Sequence, residues 1–195
     1  MDSRGEYRCM AGSGNHICPV GLAGSLDSRF RRWFQNPEKL LRPHVKEGMT
    51  VLDFGCGPGF FSIAAACLVG PAGRVIAADL QEGMLEKVRE KTEGTGFENI
   101  VTMHQCDPDR IGVSGPVDFV LLFYVVHEVP DARALFNEIE GILNPDGVVL
   151  LVEPWFHVSE KGFLETVQKA KNAGLIVDQK LKMIMNRAVL LRKGI

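Results

Sequence analysis

The chain has 195 residues, of which 46% are hydrophobic and 24% are charged, and its formal net charge is −2. This length suits a single domain with a sizeable core, and the composition is typical of a globular protein. The small negative charge argues against a basic field that would attract nucleic acid or anionic lipid, and no apolar run approaches the ~20 residues that cross a bilayer. Five cysteines, an odd number spread along the chain, favour reduced thiols and a cytoplasmic location.

Residues 1–47 are predicted to form an N-terminal loop and helical lid segment. Residues 1–24 are rich in small and polar residues, which favours a loop. The stretch SLDSRFRRWF, from Ser25, has aromatic residues at helical spacing, and Asn36 followed by Pro37 starts a second helix. Arginines among aromatics could bind RNA, but an amphipathic helix that packs over the site is the favoured interpretation.

Residues 48–195 are predicted to form the core of one structural domain, in which strands and helices alternate. Continuously apolar strands separated by helices indicate a parallel sheet that is covered on both faces. The predicted strands are 49–54, 74–79, 99–104, 117–123 and 147–153, and the predicted helices are 59–68, 82–93, 131–143 and 159–173.

The C-terminal region leaves this alternation. The apolar runs 175–183 and 187–193 are separated only by a short turn around Met185 and Asn186, which leaves no room for a helix. We therefore expect a hairpin, so that one of the last two strands runs antiparallel to the rest of the sheet.

Three glycines follow the first core strand in VLDFGCGPGFFS, at Gly55, Gly57 and Gly59. Glycine reaches positive φ and lets a ligand approach the backbone closely. The second strand ends in Asp79, about 20 residues after the first glycine, which is the interval at which an acid reaches a ribose hydroxyl in nucleotide-binding folds. The pattern indicates a ligand that contains adenosine.

The glycine spacing argues against a dinucleotide. Dinucleotide sites use G-x-G-x-x-G to place a pyrophosphate at a helix N-terminus, whereas here the third glycine position of that motif is Phe60. Asp53 precedes the loop and would repel a diphosphate, but it would attract an ammonium group. A ligand with an amino-acid end is therefore favoured over NAD.

These motifs resemble those of the class I S-adenosylmethionine-dependent methyltransferases. VLDFGCGPG resembles the family's first motif, DLQEGM (79–84) the second, CDPD (106–109) the stretch that meets the adenine, and VDFVLLFYVVHEVPD and LNPDGVVLLVEP the fourth and fifth strand regions. The resemblance covers residues 48–193. It implies a three-layer α/β Rossmann-like fold, with seven mostly parallel strands in the order 3-2-1-4-5-7-6 and an antiparallel C-terminal hairpin.

The resemblance also implies a role for each matching position. The methionine end of S-adenosylmethionine should lie against Asp53 and the glycine loop, its ribose against Asp79, its adenine near Leu80, Met84, Cys106 and Asp107, and its ammonium group at the Phe123 carbonyl. The implied cofactor-binding residues are Asp53, Gly55, Gly57, Gly59, Asp79, Leu80, Met84, Cys106, Asp107 and Phe123.

The methyl acceptor should meet residues after the fourth and fifth strands. Tyr124, His127 and Glu153 are the candidate catalytic residues, with His127 either a general base or a structural histidine. Trp155 and Phe156 are interpreted as pocket walls. The absence of an added domain favours a small-molecule acceptor. No membrane partner is expected, and a nucleic-acid partner is disfavoured. An RNA or protein methyltransferase and a non-catalytic cofactor-binding module are the alternatives.

Soft metal ligands occur near the N-terminus, at Cys9, His16 and Cys18. Their spacing fits no usual zinc site, so no metal is predicted, and a substrate-facing thiol stays open as an alternative. The identity of the acceptor, the acceptor atom and the oligomeric state are not determined by the sequence.

Overall fold

The computed structural model describes residues 36–194. A seven-stranded sheet has the order β3-β2-β1-β4-β5-β7-β6, which confirms the predicted topology. The strands are β1 Thr50–Phe54, β2 Arg74–Asp79, β3 Val101–Gln105, β4 Val117–Phe123, β5 Leu143–Pro154, β6 Leu175–Met183 and β7 Asn186–Lys193. The α-helices are α1 Pro37–Leu41, α2 Phe60–Val69, α3 Glu82–Thr92, α4 Ala132–Ile142 and α5 Glu160–Asn172, and short 3-10 helices cover Phe97–Asn99 and Val126–Glu128.

The sheet separates two apolar cores, one on each face. On one face Leu41 of α1, Phe61 of α2 and Leu85 of α3 pack against the strands, and on the other face Ile139 of α4 and Phe163 of α5 do so. Strands covered on both sides can be apolar throughout, which explains the unbroken runs in β2 and β4.

The strands β3, β2, β1, β4 and β5 are parallel, and β7 pairs antiparallel with both β5 and β6. The chain leaves β1 toward β2 over one face and leaves β4 toward β5 over the other face. The carboxyl ends of β1 and β4 therefore flank the topological switch point, where open α/β sheets place their ligands.

Several element boundaries differ from the predictions. Strand β3 starts at Val101 rather than residue 99, because the 3-10 helix Phe97–Asn99 occupies the preceding residues. Strand β5 starts at Leu143, which pairs with Val117 ahead of the register shift in the β4–β5 ladder. Asn36 caps α1 by accepting the Lys39 amide at 3.0 Å, as predicted.

The cysteines follow the expectation only in part. Cys56 and Cys106 are free and buried, but Cys67 on α2 is disulfide-bonded, so the prediction of reduced thiols throughout is wrong at this position.

The described residues do not include the proposed helix from Ser25, most of the lid segment 1–47 or the candidate ligands Cys9, His16 and Cys18. No α-helix within residues 36–194 has the length and apolarity that a membrane span requires.

Alanine substitutions at two glycines, Gly55 and Gly83, test whether the bend after β1 requires glycine. Gly55 has φ +71°, and a Cβ built on it would lie 2.5 Å from Val125 Cγ2, whereas a Cβ on Gly83 in α3 would meet nothing within 4 Å. We expect Gly55→Ala to lower the free energy of unfolding by about 2–4 kcal/mol. Gly83→Ala should raise it by about 0.5–1 kcal/mol. Urea unfolding measures both, and a Gly55→Ala protein as stable as the parent would contradict the description of this bend.

Candidate active site

The loop after β1 is fixed by backbone hydrogen bonds to the end of β2. Gly55, Gly57 and Gly59 all have positive φ, at 71°, 53° and 80°. The amides of Gly55 and Cys56 donate to the Ala78 carbonyl at 2.8 and 3.0 Å. The loop therefore lies across the carboxyl edge of the sheet and ends where Gly59 begins α2.

The Asp79 carboxylate holds two segments of backbone together. Its Oδ2 accepts the Gly57 amide at 2.9 Å and its Oδ1 accepts the Gln81 amide at 2.9 Å, while the residue is 9% exposed. A carboxylate has about four lone-pair positions, so two acceptor positions remain for a ligand. This residue both shapes the glycine loop and can bind a pair of hydroxyls.

Asp53, at the carboxyl-terminal part of β1, is a second buried acid. It is 3% exposed, and the Ser62 hydroxyl donates to its Oδ2 at 2.6 Å. The pKa of Asp53 is raised from 3.8 to about 7, chiefly by burial and also by the negative charge of Asp79, while the Ser62 hydrogen bond opposes the shift. A cationic ligand would stabilise the ionised form of Asp53.

The ends of β2 and β3 supply the groups that the sequence assigned to an adenine. The Cys106 amide donates to the Asp79 carbonyl at 3.0 Å, and burial raises the pKa of the Cys106 thiol to about 12. Leu80 is 53% exposed, whereas Met84 is buried at 2%. Asp107 is exposed and pairs with Arg110 at 2.6 Å.

An aromatic stack follows β4. The Phe123 ring lies 4.5 Å from Phe61 and 4.3 Å from Tyr124, measured between centroids. Tyr124 has φ +60°, a conformation rare for a bulky residue and found at functional sites. Its hydroxyl donates to Asn186 Oδ1 in the β6–β7 hairpin, which joins the fourth strand region to the C-terminal hairpin.

Two of the candidate catalytic residues form a hydrogen-bonded dyad. His127 Nδ1 lies 2.6 Å from Glu153 Oε2, and the His127 amide donates to Glu153 Oε1 at 3.1 Å. The Glu153 side chain is 1% exposed and that of His127 is 23% exposed. Burial raises the pKa of Glu153, and the adjacent His127 opposes this shift. With Glu153 ionised, Nδ1–H is the donor and Nε2 keeps a free lone pair.

Sequence reasoning missed the residues that support these groups. Ser62, which holds Asp53, could have been noticed as the one hydroxyl in the apolar helix FFSIAAACLV. Asn186, which accepts from Tyr124, was interpreted only as a turn residue. Tyr124 and Asn186 lie 62 residues apart in the sequence, so no local pattern predicts their contact.

The donor set fits a nucleoside with a cationic amino-acid end. Two buried carboxylates, Asp53 and Asp79, lie at the carboxyl ends of neighbouring parallel strands that pair in register. The pair would repel a pyrophosphate and would attract an ammonium or sulfonium centre. Fold and site together thus define a Rossmann-like domain that is suited to S-adenosylmethionine.

The profile of the family described as "Methyltransferase domain" matches residues 45–188. The chain therefore belongs to this family, and the resemblance to class I S-adenosylmethionine-dependent methyltransferases is confirmed. A crystal structure of a SAM-dependent methyltransferase from Aquifex aeolicus superposes with a TM-score of 0.74 at 27% identity, and the match covers 83% of this chain and 91% of that one.

Curated relatives match a shorter stretch. The chain is 34% identical over 110 residues to the demethylmenaquinone methyltransferase of Lactobacillus johnsonii and 33% identical over 109 residues to that of Staphylococcus aureus. Each match covers 56% of this chain but only 45% and 44% of the relatives. The chain thus matches less than half of the length of these relatives.

Removal of the Asp79 carboxylate should weaken both ligand binding and folding. Asp79→Ala leaves two backbone amides without their acceptor, so we expect a loss of about 1–3 kcal/mol in the free energy of unfolding. Affinity for S-adenosylhomocysteine, measured by calorimetry, should fall about 100-fold because two hydrogen bonds to a charged group are lost. Asp146→Ala, at an exposed position near the start of β5 and so at the opposite edge of the sheet, is the control. Unchanged affinity of Asp79→Ala would refute the ribose assignment.

Asp53 should make the protein less stable as pH rises. Its folded pKa of about 7 lies above the unfolded value of 3.8, so the folded state binds more protons and stability is lost between these two values. Relative to the parent, Asp53→Asn should become more stable by about 2–3 kcal/mol between pH 5 and pH 8. Urea unfolding at both pH values measures this difference. For the exposed control Asp146→Asn, the stability difference from the parent should not change with pH. An unchanging difference for Asp53→Asn would show that the Asp53 carboxyl is ionised at both pH values and would contradict the prediction.

Proposed function

We propose that the protein transfers the methyl group of S-adenosylmethionine to a small-molecule acceptor whose acceptor atom carries a proton. The observation that carries this proposal is the dyad of His127 and Glu153, which places a partly exposed imidazole against a buried carboxylate at 2.6 Å. The dyad lies at the same carboxyl edge of the sheet as the two buried aspartates.

On the cofactor side, the roles follow the chemistry of the described contacts. Asp79 has two unused acceptor positions for the ribose hydroxyls, Asp53 provides negative charge for the amino-acid end, and the exposed Leu80 can cover one face of the adenine. Asp107 would accept from the adenine amino group beside the buried Cys106 and Met84. The remaining assignments are backbone contacts at Gly55, Gly57, Gly59 and Phe123.

The bound cofactor supplies a methyl group on a positively charged sulfur, which is a good electrophile. On the acceptor side, His127 Nε2 would take the proton of the acceptor atom and so free its electron pair to receive the methyl group. The nearest described anion to Nε2 is Glu128 Oε1 at 3.9 Å, which is beyond hydrogen-bond distance, so this nitrogen is available. Glu153 holds the imidazole through Nδ1, which leaves the Nε2 lone pair for the acceptor proton.

Two features favour a small molecule over RNA or protein. The curated relatives are named as methyltransferases of a quinone, demethylmenaquinone. The chain has a net charge of −2, which gives no general attraction to a polyanion.

Labelled methyl transfer identifies the acceptor class. The protein is incubated with methyl-labelled S-adenosylmethionine and with separate metabolite, lipid, RNA and protein fractions of a cell extract. We expect label in the metabolite or lipid fraction. Label confined to RNA or protein would refute the small-molecule acceptor, and a lack of transfer to any fraction would favour a non-catalytic binding module.

The dyad has its own kinetic signature. Once the acceptor is identified, His127→Ala should lower kcat about 10²–10⁴-fold. The affinity for S-adenosylhomocysteine should stay within about twofold of the parent value, because the imidazole acts only on the acceptor proton. Added imidazole should restore part of the His127→Ala rate. Glu153→Gln should also lower kcat, because Nδ1 loses its ionised partner.

His104→Gln is the matched control for the dyad. His104 is a half-buried histidine whose Nε2 lies 2.7 Å from the Ile111 carbonyl, and glutamine can donate the same bond. Its kcat should equal that of the parent. A His127→Ala enzyme with parental kcat, or one that imidazole does not rescue, would remove His127 from the role of general base.

A further inference from the structure

Large apolar side chains are exposed beside the dyad. Trp155 and Phe156, which follow β5, are 50% and 63% exposed, and Ile184 and Met185, in the β6–β7 turn, are 83% and 53% exposed. These four residues are called the apolar rim below. Single exposed apolar residues are ordinary, but a contiguous group of this size marks an interaction site.

A backbone hydrogen bond joins the two halves of the apolar rim. The Trp155 amide donates to the Met185 carbonyl at 3.3 Å, which ties the end of β5 to the hairpin turn. Strand β6 runs parallel to β5, because both pair antiparallel with β7. The hairpin turn therefore lies at the carboxyl edge of the sheet, on the same side as the dyad.

Ring contacts connect the apolar rim to the dyad. The Phe156 ring lies 5.7 Å from the His157 ring, and His157 lies 5.6 Å from His127. An acceptor that enters across Phe156 would arrive beside the His127 imidazole.

Cations predominate in the hairpin formed by β6 and β7, although the buried Glu153 of β5 pairs opposite Arg187. Lys180, Lys182 and Arg187 flank the turn, and the sequence contains no acidic residue after Asp178. Lys182 and Arg187 face each other across the hairpin. Within residues 36–194, none of these three cations forms a salt bridge, and the buried Arg187 Nε has no hydrogen-bond partner. The net charge of the whole chain conceals this local positive patch.

We propose that the apolar rim and its flanking cations form a docking surface for an anionic lipid bilayer. Apolar side chains at the tip of a protruding turn can enter the boundary between headgroups and acyl chains, and lysine and arginine beside them can contact lipid phosphates. This inference rests on the proposed function, because it makes the acceptor a lipophilic molecule that passes from the bilayer across Phe156 to His127.

Vesicle flotation tests the docking surface without any acceptor. The full-length protein is mixed with vesicles of phosphatidylglycerol and phosphatidylcholine, or of phosphatidylcholine alone. We expect binding to the anionic vesicles at least about tenfold tighter than to the neutral ones, and weaker binding as salt is raised. The double variants Ile184→Ser with Met185→Ser, and Lys180→Gln with Lys182→Gln, should each weaken this binding at least about tenfold.

Matched controls come from the opposite edge of the sheet. Ile176, at the start of β6, is 49% exposed, and Lys169 and Lys171 lie in the last turn of α5. Ile176→Ser and the double variant Lys169→Gln with Lys171→Gln should bind vesicles as the parent does. Equal loss in these controls, or parental binding by the rim variants, would overturn the proposal.

Three further outcomes separate the docking surface from other partners and from the proposed function. Rim variants that change the sedimentation of the protein alone, with no vesicle binding by the parent, would assign the rim to a second copy of this chain. Vesicle binding that persists in a protein unable to transfer methyl groups would refute the proposed function and leave the surface standing. Full methylation without vesicle binding would refute the docking surface alone.

Discussion

The Asp79 carboxylate is the group on which the arrangement of the site depends. It joins the glycine loop after β1 to the turn after β2 through one hydrogen bond to Gly57 and one to Gln81, each of 2.9 Å. These bonds hold the loop in one position, and two acceptor positions remain on the carboxylate. Such preorganisation reduces the entropy that binding would otherwise lose.

The buried polar groups of the protein are concentrated at this edge of the sheet. The buried polar or charged residues within residues 36–194 are Asp53, Ser62, Asp79, Thr92 and Glu153, and all but Thr92 belong to the site. Burial disfavours the ionised form of Asp53 and is the main cause of its raised pKa, so this carboxylate lowers stability when it is ionised. Proteins keep such destabilising polar groups in an apolar core where their function requires them.

Much of the fold could be predicted from the sequence, because its signals are local. Apolar runs fix the strands, the short turn fixes the hairpin, and the glycines mark a bend that requires positive φ at Gly55. The site was predictable as a region, since parallel strands end at one edge. The side-chain contacts within the site were not predictable. The contacts of Ser62 with Asp53 and of Tyr124 with Asn186 depend on the directions of side chains from separate elements, which only the assembled sheet brings together.

A crystal structure with S-adenosylhomocysteine tests the central claim most directly. This claim is that the cofactor binds at the carboxyl edge of the sheet, against the loops after β1 and β2. The account predicts the ribose hydroxyls at the Asp79 carboxylate, which keeps its bonds to Gly57 and Gln81, and the amino-acid end beside Asp53. A ligand bound elsewhere, or a ribose held by another side chain while Asp79 contacts only backbone, would contradict the account.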